Sequence, residues 1–197
     1  MNFLGHAALA QDSSDKQLLG CLIADGIKGR YALEALPLPI RQGVEHHRLV
    51  DAIIDTHPEV VNLIKQMPQR RFAPMALDIV WDHCLYLQPA AVPTGGWSSL
   101  ISRCHYVIET ANNLPASREH LLRQMVKGQW MSRYAEQSFM LDAIIGIGKR
   151  LRYPQDLSLL CEWIVSHQAL LNESFAIIWQ DLWYQANWST GIKFKLC

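Results

Sequence analysis

The chain has 197 residues, half of them apolar and 18% charged, with 18 basic against 18 acidic side chains and so no formal net charge. That length points to one domain, or at most two small ones, with a core large enough to need no disulfide staples. The composition excludes intrinsic disorder, and the charge balance argues against a duplex nucleic-acid binder of this size, which would normally be basic.

The pattern along the chain is helical almost throughout. Met1 to Ala10 is apolar but short, lacks a preceding basic residue and is interrupted by His6, so it does not read as a secretory signal. No stretch offers the roughly 18 apolar residues of a membrane span. The expectation is a soluble, cytoplasmic protein. Leu18, Leu19, Leu22 and Ile23 form a one-sided stripe before Gly26, and Pro37 and Pro39 punctuate. Helical spacing over 40–56 (Val44, His47, Val50, Ile54) stops at Thr56-His57-Pro58, and Pro58 is expected to start the next helix, 59–67. Pro74 opens a helix to about Leu87 with Leu77, Val80, Trp81, Cys84 and Leu85 inward. Residues 88–96 read as a loop and 97–112 as a helix. Asn113-Leu114-Pro115 breaks the chain before a further helix from Ala116 or Ser117. Segments at about 129–151 and 154–187 complete the set, the last broken once near Asn172. No alternating strand pattern stands out. The fold class expected is all-α, a single multi-helix domain over 1–197, with 188–197 as a flexible tail.

The five cysteines are scattered, odd in number and form no C-x-x-C pair. They read as buried free thiols rather than a zinc knuckle or disulfide framework. Gly146-Ile147-Gly148-Lys149 fails as a phosphate loop, because position 143 is Ala and Arg150 follows the lysine. No G-x-S-x-G is present. The seven tryptophans fall at helical spacing and read as core.

The residues out of place are acids and imidazoles on or beside the apolar stripes. His6 lies in an apolar run and Asp25 follows Leu22-Ile23-Ala24. His47 and Asp51 are four apart and share a helix face, and Asp55 either extends that line or caps the helix beginning at Pro58. Asp78 and Asp82 repeat the spacing on another helix, with His83 beside Asp82. His46 is placed on the solvent side, and Asp51 either joins the cluster or pairs with Arg48 or Arg41 on the surface. Buried carboxylates persist when paired or metal-bound, and a mixed carboxylate and imidazole set suits Mn²⁺, Fe²⁺ or Mg²⁺ better than a thiolate-rich zinc site.

Taken in order, Met1-Asn2-Phe3-Leu4-Gly5-His6, Gly20-Cys21-Leu22-Ile23-Ala24-Asp25, Gly43-Val44-Glu45-His46-His47-Arg48-Leu49-Val50-Asp51, Asp55-Thr56-His57-Pro58, and Arg70-Arg71-Phe72-Ala73-Pro74 through Leu77-Asp78-Ile79-Val80-Trp81-Asp82-His83 resemble the acyl carrier protein phosphodiesterase family, an all-helical relative of the HD-type metal phosphohydrolases. Trp130 with Arg133-Tyr134 also fits. The resemblance implies an HD-like helical bundle and a hydrolase that removes 4′-phosphopantetheine from holo-acyl carrier protein. It also implies Mn²⁺, with Mg²⁺ as the alternative, and the carrier protein as partner, with no nucleic acid and no membrane. On that reading His6, Asp25, His47, Asp51, Asp78, Asp82 and His83 are the metal-site candidates. Asp25, Arg48 and Asp82 are the catalytic candidates, Arg48 as phosphate clamp. Lys28, Arg48, Arg70 and Arg71 are the substrate-binding candidates, and Lys149/Arg150/Arg152 is a further cluster for docking an acidic carrier. Two alternatives are a metal phosphohydrolase acting on a nucleotide or coenzyme A-related ester, and a non-catalytic helical binding module.

Overall fold

The computed structural model describes residues 1–188; of the tail expected at 188–197, Trp188 packs near His46 and the rest lies outside the described residues. These residues form α-helices and short 3₁₀ turns, without strands, and the all-α expectation holds. Helix α1 (Phe3–Leu9) is followed by α2 (Asp15–Ile23), a 3₁₀ turn at Ala24–Gly26, α3 (Gly29–Glu34) and α4 (Leu38–Thr56). Then come α5 (Pro58–Gln66), α6 (Ala73–Leu87), α7 (Gly96–Glu109) and α8 (Ala116–Lys127). The chain closes with α9 (Trp130–Arg133), α10 (Gln137–Arg150), α11 (Ser158–Ser166) and α12 (Gln168–Ala186). None of these helices is long and apolar enough to cross a membrane.

Local chemistry sets the boundaries. Ser14 caps α2 in a reciprocal capping box with Gln17, and prolines sit in the first turns of α4, α5 and α6. The cap of α5 is His57, whose Nδ1 accepts from the Glu59 amide at 3.2 Å; Asp55, the alternative cap, is exposed one turn earlier. The segment expected at 129–151 is two helices, α9 and α10, parted at Tyr134 to Glu136, and the break expected near Asn172 falls at His167.

The core is one contiguous cluster. Trp81 of α6 stacks on Phe175 of α12, which stacks on Trp179, with ring centroids 5.7 and 6.0 Å apart. The tightest packing is between α2 and α4. A Cβ at Gly20 would overlap the Ile40 carbonyl, and one at Gly43 would overlap the Gln17 carbonyl. Only glycine at both positions lets the two backbones meet. That approach brings the C-terminal turn of α2 against the middle of α4. Because α4 is covered by α2 on one side and α12 on the other, adjacent residues of α4 are both buried. His46, expected on the solvent side, is fully buried, and its Nε2 donates to the Ala186 carbonyl at the end of α12. Cys21, Cys84, Cys104 and Cys161 are buried free thiols.

Candidate metal centre and adjoining cleft

The closeness of α2 and α4 fixes the first ligand candidate. His47 Nδ1 lies 2.8 Å from the Cys21 carbonyl. A carbonyl only accepts, so Nδ1 carries the proton and Nε2 points the other way, the arrangement usual for a metal-ligating imidazole held from behind. His47 Nε2 lies 3.1 Å from Asp51 Oδ2, one helical turn on, and 3.8 Å from Asp25 Oδ1. From α1 comes His6, whose ring stacks on that of His47 with centroids 3.6 Å apart. Its Nε2 lies 3.2 Å from Asp51 Oδ1 and 3.0 Å from the Met1 carbonyl, and its Nδ1 is buried without a partner. His6, His47 and Asp51 each offer a ligand atom within 4.8 Å of the others. Asp25, in the 3₁₀ turn, closes the solvent side of the group.

Two imidazoles stacked this closely do not both carry a positive charge. Burial, together with repulsion from His47, pushes His6 down to about 3. Burial also opposes the charge on His47, but hydrogen bonds and attraction from Asp25 and Asp51 outweigh it and hold His47 up at about 9. Burial likewise opposes the Asp51 charge, yet the two imidazoles hold its carboxyl far below the usual range. The hydrogen bond from His47 lowers Asp25, and attraction from His47 and Arg118 adds to this. The group is thus a compact acid–imidazole cluster with one excess proton. Two imidazole nitrogens and a carboxylate from two helices, with a second carboxylate on the open side, are a donor set able to hold a divalent metal ion.

The other metal candidates are held elsewhere. Asp82 is fully buried and both of its oxygens accept backbone amides at the start of α1, from Leu4 at 2.8 Å and Gly5 at 3.0 Å. Burial raises its pKa to about 7 against the pull of those amides. In this structure it caps α1 from a distant helix. His83 Nδ1 donates to the Tyr134 carbonyl at 2.6 Å. Neighbours on a helix diverge by about 100°, so Asp82 and His83 point in different directions. Asp78 is half-buried and accepts from the Met1 amine at 2.7 Å. Arg48 is exposed, and one nitrogen of its guanidinium donates to the Ile27 carbonyl at 2.8 Å, bracing the turn after Asp25. Lys28, Arg70 and Arg71 are exposed.

A cleft of about 590 Å³ opens beside Asp25 and Asp78. Three guanidinium side chains from three helices, Arg118, Arg133 and Arg150, line it, and Phe3, Met75, Ile79, Leu121, Trp130 and Phe139 form its apolar wall. Arg118 Nη2 sits 3.1 Å from Asp25 Oδ2. Gly26 makes this possible: a Cβ there would strike Pro115 and crowd Arg118. Sequence reasoning missed Arg118, since Ser117-Arg118-Glu119 looks like any solvated helix face.

A family model described as acyl carrier protein phosphodiesterase matches residues 1–182. The chain belongs to this family. Relatives of that name confirm the membership. The one from Photorhabdus laumondii subsp. laumondii is 33% identical, over 91% of this chain and 90% of its own. Those from Yersinia enterocolitica and Pectobacterium atrosepticum are 33% and 35% identical, over 76% and 73% of this chain and 79% and 76% of theirs. No solved structure matches. The matched region takes in every residue of the cluster and the cleft.

Proposed function

We propose that this family member is a metal-dependent hydrolase that releases 4′-phosphopantetheine from holo-acyl carrier protein. The observation that carries the reading is the meeting of His6, His47 and Asp51 at one point, opening through Asp25 onto a cleft lined by arginines, in a chain that shares its family with proteins named for this activity. In the net reaction the oxygen of water bonds to phosphorus and the bond from phosphorus to the carrier serine oxygen breaks. One proton of the water ends on that serine, leaving apo-carrier and a phosphomonoester.

His6, His47 and Asp51 would hold a divalent cation, with Mn²⁺ the first choice and Mg²⁺ the second, and Asp25 would complete or face the site. When bound, such an ion lowers the pKa of water and offsets phosphoryl charge. The protein's own groups do the rest. The Cys21 carbonyl fixes the His47 tautomer. Asp25, kept ionised between His47 and Arg118, is the acceptor placed to orient a water at the mouth. Arg118 is the cation nearest to it and stands where a phosphodiester oxygen would need a partner.

The test is mass spectrometry of holo-carrier protein incubated with the full chain and Mn²⁺. The expected result is a mass loss equal to the phosphopantetheine moiety. An unchanged carrier, with inorganic phosphate released from small phosphoesters instead, would replace this reading by that of a small-molecule phosphohydrolase.

A further inference from the structure

The proposed chemistry needs one cation at the scissile phosphate, yet the cleft presents three. Arg118 comes from α8, Arg133 from α9 and Arg150 from α10. Of the acids lining the same cleft, Asp25 is engaged with His47 and Arg118 and Asp78 with the Met1 amine. That leaves Asp142 as the acid to offset Arg133 and Arg150. Arg133 lies over the Phe139 ring, its carbon 4.4 Å from the centroid. This orders a flat cation against the apolar wall. Its ion pair with Glu136, at 3.5 Å, is solvent-exposed and weak. Among the described residues no acid forms an ion pair with Arg150. The volume is that of a site for a small organic ligand, far larger than a phosphate group requires.

We infer that this cleft is the subsite for the phosphopantetheine arm, with Arg118 gripping its phosphate at the end nearest Asp25, and with Arg133, Arg150 and the apolar wall selecting a phosphorylated, extended arm. The inference rests on the reaction proposed above and names the residues that recognise its smaller half. The arm's chemistry matches the lining: one anionic end, then a branched hydrocarbon and neutral amides with no further charge. The apolar wall takes the hydrocarbon, and Arg133 and Arg150 steer and retain the anion as it enters and leaves. The released monoester carries more charge than the diester, so the product itself is a ligand of the cleft.

The experiment is calorimetric titration of the full chain, without added metal, with 4′-phosphopantetheine, with pantetheine and with inorganic phosphate. It is paired with steady-state kinetics on holo-carrier in Mn²⁺. The phosphorylated arm is expected to bind and to inhibit, and each of the other two probes to bind roughly tenfold or more weakly, about one charge-assisted hydrogen bond's worth of affinity. Arg133→Gln and Arg150→Gln change exposed side chains outside the metal cluster. Each is expected to weaken 4′-phosphopantetheine by roughly three- to tenfold and to raise KM for holo-carrier more than it lowers kcat, with an unchanged melting temperature. Equal binding of 4′-phosphopantetheine and pantetheine, or wild-type titrations in both variants, would overturn the assignment even if the wild-type chain converts holo-carrier. Failure of the wild-type chain to convert holo-carrier would instead bring down the reaction reading.

Discussion

Replacing Asp82 tests whether that buried acid belongs to the catalytic group or to the frame around it. Both of its oxygens accept amides that open α1, the helix that carries His6. In Asp82→Ala the Leu4 and Gly5 amides lose their acceptor in a place closed to water. Each buried amide left unsatisfied costs about 1–3 kcal/mol. Relief from burying a carboxylate returns part of that, so a net loss of about 2–4 kcal/mol is expected. For a domain of this size the melting temperature should fall by about 5–15 °C. Asp82→Asn keeps the shape and one acceptor oxygen, and should lose about half as much. The assay is thermal unfolding by circular dichroism, paired with Mn²⁺ titration at a temperature where each variant is folded. The folded variants should still bind Mn²⁺, weakened only as far as α1 frays. An Asp82→Ala protein that melts with the wild type but binds no Mn²⁺ would show that the carboxylate is a ligand, and the capping argument would be wrong.

Other expected outcomes follow from the same geometry. His47→Gln and Asp51→Asn should each reduce Mn²⁺ affinity by tenfold or more and abolish measurable turnover on holo-carrier; retained affinity in either would remove that residue from the centre. Since His47 holds its proton up to about 9 in the cation-free cluster and a ligand imidazole must be neutral, binding displaces a proton. Mn²⁺ affinity measured at pH 6, 7 and 8 should rise by about tenfold per unit. A flat profile would contradict it. Gly43→Ala forces α2 off α4 at the Gln17 carbonyl and should cost about 1–3 kcal/mol by overpacking, read as a lower melting temperature together with weaker Mn²⁺ binding. Encounter with an acidic carrier at a cleft holding Arg118, Arg133 and Arg150 should slow as ionic strength rises, so kcat/KM independent of salt up to 0.3 M would count against charge-guided docking.

What was readable in advance follows from how locally each feature is encoded. The long helices α4, α6 and α7 declare themselves because their apolar periodicity runs for several turns between prolines and glycines. Helix α3 buries no side chain and so has no stripe to read. The break between α9 and α10 contains neither proline nor glycine; Gln129 enters α9 with a left-handed backbone that no local residue type announces. His47 and Asp51 were legible as a pair because four residues on one helix is a local relation. The role of Asp82 was not, since its partners stand 77 and 78 positions earlier. Likewise nothing near Arg118 in the chain marks it as the residue that meets Asp25. His46 was assigned to water because a helix was assumed to have one buried face, whereas α4 has two.

That double burial ties two distant parts of the molecule to a single peptide unit. His47 looks toward α2 and the acid cluster, while its neighbour His46 donates to the carbonyl that ends α12 and packs near Trp188. A shift of the last long helix therefore pulls on the backbone that aims the His47 imidazole. Damage at Ala186, remote from any chemistry, should be felt first as looser cation binding.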